Sequence, residues 1–110
     1  MFALNLTLTA WLAMTAATVH DIQTTIPNLR GLCHEQTAIY GRHPSDARLW
    51  VSAAAQQAAI GLVARWLGHK PGKVGQMFRH GFVMGMVAGT VQHERAALGN
   101  MKIADACQGR

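Results

Sequence analysis

The stretch Met1–Val19, MFALNLTLTAWLAMTAATV, carries no charged side chain. A helix rises about 1.5 Å per residue, so this run matches the roughly 20 residues needed to cross a hydrocarbon core. It is the strongest candidate span, and its reading decides the fold. Further along, Leu49–Ala64 is also free of charge and rich in Ala. Trp50 and Trp66 stand at its two ends, where amphipathic rings favour a membrane interface. A third stretch, Gly81–Val91, is apolar for only about 11 residues and needs Met77, Phe78 and the residues out to Leu98 to approach a full span.

Composition points the same way. Half of the 110 residues are hydrophobic and 14% are charged, against roughly 25% in an average soluble domain. Too few charges remain for an ordinary globular surface. The mean hydropathy is only +0.11, so a membrane reading depends on the concentration of apolar residues in these three stretches. Two other readings account for the same segments. Met1–Val19 could be a signal peptide, although it has no basic n-region. All three could be core helices of a soluble bundle, where Gln56, Gln57, Arg65 and the run His93-Glu94-Arg95 would sit comfortably. The net charge of +5 comes from scattered basic residues without an aromatic-interleaved stripe, which argues against nucleic-acid binding and suits anionic lipid head groups.

The expected fold is all-α: a three-helix transmembrane bundle with a long first connection, one membrane domain over residues 1–110, and helices at about 2–24, 47–67 and 76–98. Thr24, Thr25 and Pro27 close the first helix, because proline lacks a donor and disfavours helix in the residue before it. Gly41-Arg42-His43-Pro44-Ser45-Asp46 reads as a turn into the second helix, with Ser45 or Asp46 as N-cap. His69-Lys70-Pro71-Gly72 stops that helix, and Gly99-Asn100 is the expected C-cap of the third.

Gly81, Gly85 and Gly89 repeat at four-residue intervals, a small-xxx-small face that lets another backbone approach closely. Its expected counterpart is the small face of the second helix, Ala54, Ala58 and Gly61 or Ala55 and Ala59; a homo-oligomer through the same glycines is equally compatible. Within the second helix, Gln56 and Gln57 need partners, for which Asn5, Thr7, Thr15 and Thr90 are candidates. Orientation reads both ways. Arg65, Lys70, Lys73 and Arg79 around the second link argue for the cytoplasm, but Arg30, Arg42, Arg48, Arg95, Lys102 and Arg110 on the other side are more numerous.

With three spans, the first connection and the C-terminal tail share one side of the membrane. His20-Asp21, His34-Glu35, His43 and His93-Glu94 all collect there. Imidazole and carboxylate bind divalent metals and move protons near neutral pH. Asp21, His34, Glu35 and His93 are therefore the candidates for acid–base work, and His20, Asp21, His34, Glu35, His93 and Glu94 for a divalent metal. The plain alternative is that ionisable residues gather at helix ends because the apolar middle excludes them. No motif for another cofactor, and none for phosphate binding or a nucleophile, is present. Cys33 and Cys107 also share that side; an oxidising compartment would allow a bridge and a reducing one would leave free thiols.

The pattern Asp21-x-x-Thr24-Thr25, Gly31-x-x-His34-Glu35 and Gly41-Arg42-x-Pro44-Ser45 resembles small bacterial inner-membrane proteins of unknown function. In these a Glu-x-Asn-Pro element precedes a Gly-x-x-Pro-Ser turn between the first two membrane helices. The match covers Asp21 to Ser45, with Thr37 and Ala38 in place of Asn and Pro. The resemblance implies multi-pass inner-membrane placement and roles for Asp21 and Glu35, and it implies no activity. The leading functional expectation is a non-enzymatic membrane protein that contacts lipid and packs with itself or within a larger membrane complex. The alternatives are an interfacial metal-binding or acid–base enzyme and a holin-like or channel protein.

Overall fold

The computed structural model describes residues 2–31, 33 and 44–109. Among these, three helices and no strands form: α1 (Phe2–Arg30), α2 (Asp46–Gly68) and α3 (Gly72–Gln108). They run up, down and up in a bundle about 55 Å long and 22 × 18 Å across. The dominant pairing is α1 against α3, which lie parallel: Ala10 packs near Val83 and Met86, Asp21 meets His93, and Cys33 is bonded to Cys107. The intervening α2 returns the chain along their side.

α2 begins as its sequence predicts. Ser45 holds an extended conformation and its hydroxyl accepts from the Arg48 amide at 3.1 Å, a standard N-cap. The other two helices outrun their stop signals. α1 continues through Pro27 to Arg30 instead of closing near residue 24. The exposed Pro27 removes one helical bond, but Asn28 is buried against α3 and Ile26 and Leu29 pack on Ile22, Leu49 and Ala53, so docking holds the last turn helical. α3 begins at Gly72 rather than near 76, and it passes through Gly99-Asn100 to end at Gly109, which takes the left-handed conformation (φ 75°). Asn100 does not cap because its amide is engaged with α1, and tertiary contacts outweigh its local preference.

The glycine face does not meet α2. Added Cβ atoms at Gly81 and Gly85 would meet nothing within 4 Å, while Ala54 and Ala58 are exposed. Only Gly89 faces a neighbour, and that neighbour is Met14 of α1. The expected close contact of Gly81 and Gly85 with Ala54 and Ala58 is therefore not made: the two open glycines border a cavity whose other walls include Met14 of α1 and Ile60 and Leu67 of α2.

Among the described residues no helix is long and apolar enough to cross a membrane. The apolar run of α1 gives way to His20 and Asp21, α2 is interrupted by Gln56 and Gln57, and that of α3 is short. The distribution of side chains is nonetheless unusual. Thr7, Thr18, Asn28 and Gln57 are buried, whereas Leu62, Met84 and Val51 are about two-thirds exposed and Phe78 and Trp66 are 58% and 59% exposed. The interior is correspondingly modest: Ala10, Val83 and Met86 near one end, and Ile22, Leu49 and Ala53 toward the other.

Two glycines differ sharply in what they tolerate. A Cβ on Gly31 would run into the Cys107 carbonyl, whereas one on Gly99 meets nothing. Gly31→Ala should lower stability by about 2 kcal/mol or more and reduce the cross-linked fraction on a non-reducing gel. Gly99→Ala, an exposed helix interior, should raise stability by roughly 0.5–1 kcal/mol in denaturant titration.

Candidate functional site

The parallel pairing of α1 with α3 sets two dipeptides, His20-Asp21 and His93-Glu94, opposite each other, and their side chains pair crosswise. Nδ1 of His93 lies 2.8 Å from Oδ2 of Asp21, and Nδ1 of His20 lies 3.1 Å from Oε2 of Glu94. The Asp21–His93 pair is the more sheltered, with side-chain exposures of 22% and 30% against 41% and 45% for His20 and Glu94. Sequence analysis expected these four residues at one interface, and the structure brings them together as two pairs.

Asp21 is also the hub of a hydrogen-bonded ladder. Its Oδ1 accepts from Thr25 at 3.2 Å and from the Asn100 amide at 3.4 Å. That amide also donates to Thr25 Oγ1 at 2.8 Å and to Thr24 Oγ1 at 3.1 Å, so Thr24 and Thr25 serve the seam rather than a helix stop. One turn on, Asn28 donates to the Asn100 backbone carbonyl at 3.0 Å and accepts from Gln108 at 3.0 Å. The Cys33–Cys107 disulfide closes the ladder. Asn28 and Gln108 were not singled out from the sequence, and Asn100 was read there only as a helix C-cap. The signal that could have found them is spacing: Asp21, Asn28 on one helix and His93, Asn100 on the other each lie seven residues apart, which returns to the same helical face.

α1 and α2 share a smaller polar contact. Gln57 donates to Thr15 Oγ1 at 2.7 Å, one of the partners expected for it, and the Trp11 indole donates to the Gln57 carbonyl at 2.9 Å. Among the described residues no buried side-chain nitrogen or oxygen lacks a partner. Each inward polar group is therefore compensated, as burial requires.

His34, Glu35 and His43 lie outside the described residues. Among those described, no group of three or more His, Cys, Asp or Glu converges as a metal site. Crossed imidazole–carboxylate pairs can orient and hold a proton between two groups, and they also lock the rotation of one helix against the other.

The two pairs should differ energetically. A double-mutant cycle of Asp21→Ala with His93→Ala should give a coupling of about 1–2 kcal/mol, because the pair is mostly sheltered and Asp21 has other partners to strand. The same cycle for His20 and Glu94 should give less than about 0.5 kcal/mol, because solvent screens it. No family model matches this chain, and neither a curated protein nor a solved structure is similar to it.

Proposed function

We propose that this chain is a small multi-pass protein of the bacterial inner membrane, acting as a helix-packing subunit of a homo-oligomer or larger membrane complex rather than as an enzyme. The observation that carries the reading is the pairing of two features: Thr7, Thr18, Asn28 and Gln57 share the interior with mostly small apolar groups, while many large apolar side chains lie outside. Water selects against that arrangement, and lipid or a neighbouring helix selects for it. Thr18, Asn28 and Gln57, which make α1 and α2 less apolar, are buried and so do not face the surroundings. The apolar belt is short, about 18 Å on α3 between His80 and His93, which a bilayer accommodates by local thinning and by snorkelling of flanking cations.

The disulfide supplies an orientation. Cys33–Cys107 favours an oxidising compartment for the first connection and the C-terminal end. Arg65, Lys70, Lys73 and Arg79 then face the cytoplasm, as basic links prefer. On this reading the crossed pairs are a packing device, since each imidazole has its carboxylate across the seam.

Two measurements test this. After expression in bacteria, the chain should resist extraction by carbonate, and its cysteines should react with an impermeant maleimide from the periplasmic side only after reduction. Release into the supernatant sinks the membrane reading, and labelling confined to lysed cells reverses the orientation. For the packing surface, Gly85→Ile should shift the oligomer distribution in mild detergent toward monomer while Gly99→Ile leaves it unchanged; equal behaviour of the two variants removes the glycine face from the interface.

A further inference from the structure

The charges divide unequally between the two ends of the bundle. All carboxylate side chains of the chain lie in residues 21–46 and 94–105, so residues 1–20 and 47–93 contain none. The turn that joins α2 to α3 belongs to the acid-free part, and a groove of about 990 Å³ opens there between that turn and the first half of α1. Arg65, His69, Lys70 and Arg79 line one part of the groove, and Leu8 and Trp11 line another. A cationic region continuous with an apolar wall is the complement of an amphiphile with an anionic head.

We propose that this groove binds the phosphate head of an anionic phospholipid of the cytoplasmic leaflet, with the start of its acyl chains along Leu8 and Trp11. The inference rests on the membrane reading above and adds a ligand and a place to it. Several contacts hold the cationic part in position. Arg79 donates from one guanidinium nitrogen to the carbonyls of Leu67 and Lys70, which leaves the other edge of its fork for an oxyanion. Lys70 sits 4.3 Å above the Trp66 ring. Gly75 lets α3 pass against the Lys70 carbonyl, where a Cβ would clash, and so fixes the turn beneath these cations. Pro71, also on the groove, opens α3 without any side-chain cap hydrogen bond, and the first turn of that 37-residue helix contains no acid, so the helix dipole adds positive potential at the same place. The volume lies at the upper end of the roughly 300–1,000 Å³ typical of ligand pockets.

The test uses the full chain with Trp50→Phe, so that Trp11 and Trp66 near the groove report alone. It is reconstituted in phosphatidylcholine vesicles containing roughly one phosphatidylglycerol in four, with either lipid brominated in turn. Brominated phosphatidylglycerol should quench several-fold more strongly, per mole, than brominated phosphatidylcholine. Arg65→Gln and Lys70→Gln should each reduce that preference by about fivefold or abolish it, with circular dichroism confirming retained helix. Equal quenching by the two lipids, or an undiminished preference in both variants, overturns the lipid site. Loss of the preference in millimolar inorganic phosphate at constant ionic strength identifies a free-phosphate site instead and also overturns it. Failure of the chain to float with vesicles at all is a different result, because it removes the membrane reading on which the site rests.

Discussion

The parallel alignment of α1 and α3 is the constraint on which the rest of the fold depends. Parallel neighbours have their dipoles pointing the same way, so the pairing gains nothing from dipole compensation and needs specific contacts along its length. The Asp21–His93 pair, the Asn28–Asn100–Gln108 ladder and the Cys33–Cys107 bond supply them. In the chain-entropy account, a cross-link spanning 74 residues is worth about 4 kcal/mol, comparable to all the hydrogen bonds of the seam together. Because each contact needs its partner at a set rotation, α1 must stay regular from His20 to Arg30 and α3 from His93 to Cys107. That requirement carries α1 through Pro27 and α3 through Gly99.

Polar groups on this seam share the interior with small apolar clusters and leave many large apolar side chains on the outside. A water-soluble three-helix bundle of this size concentrates Leu, Val and Met between its helices, and here many of them face outward while amides and threonines lie within. On the proposed membrane reading lipid covers that exterior, and the two ends of the molecule then meet different surroundings. One end joins a disulfide to the described acids, Asp21, Asp46, Glu94 and Asp105; the other has cations alone. This polarity gives the proposed orientation and the proposed lipid groove a common origin in the distribution of charge along the chain.

Much of the fold was legible in local signals. Three charge-poor runs separated by turn chemistry point to three helices, and Ser45 marks the start of α2 because a cap is decided by one side chain and its neighbouring amides. The mutual approach of His20-Asp21 and His93-Glu94 followed from counting helices, since an odd number of crossings returns α3 to the direction of α1. Gln57 found Thr15 because a buried amide has few acceptors within reach. The ends of α1 and α3 and the partner of the glycine face were misread. Proline, glycine and asparagine act locally as stop signals, but their cost of one to a few kcal/mol is smaller than what long-range docking supplies.

By itself the sequence determined that the chain is helical, where its apolar runs lie, and that its acids avoid the α2–α3 turn, because propensity and charge are properties of residues and their near neighbours. Only the tertiary structure decided which face of α3 meets α1, that Asn28 and Asn100 join the seam, that Cys33 and Cys107 bond, and that Gly81 and Gly85 stay open. Those outcomes depend on the relative rotation of two helices some 70 residues apart, and that rotation is chosen by the sum of the contacts across the interface.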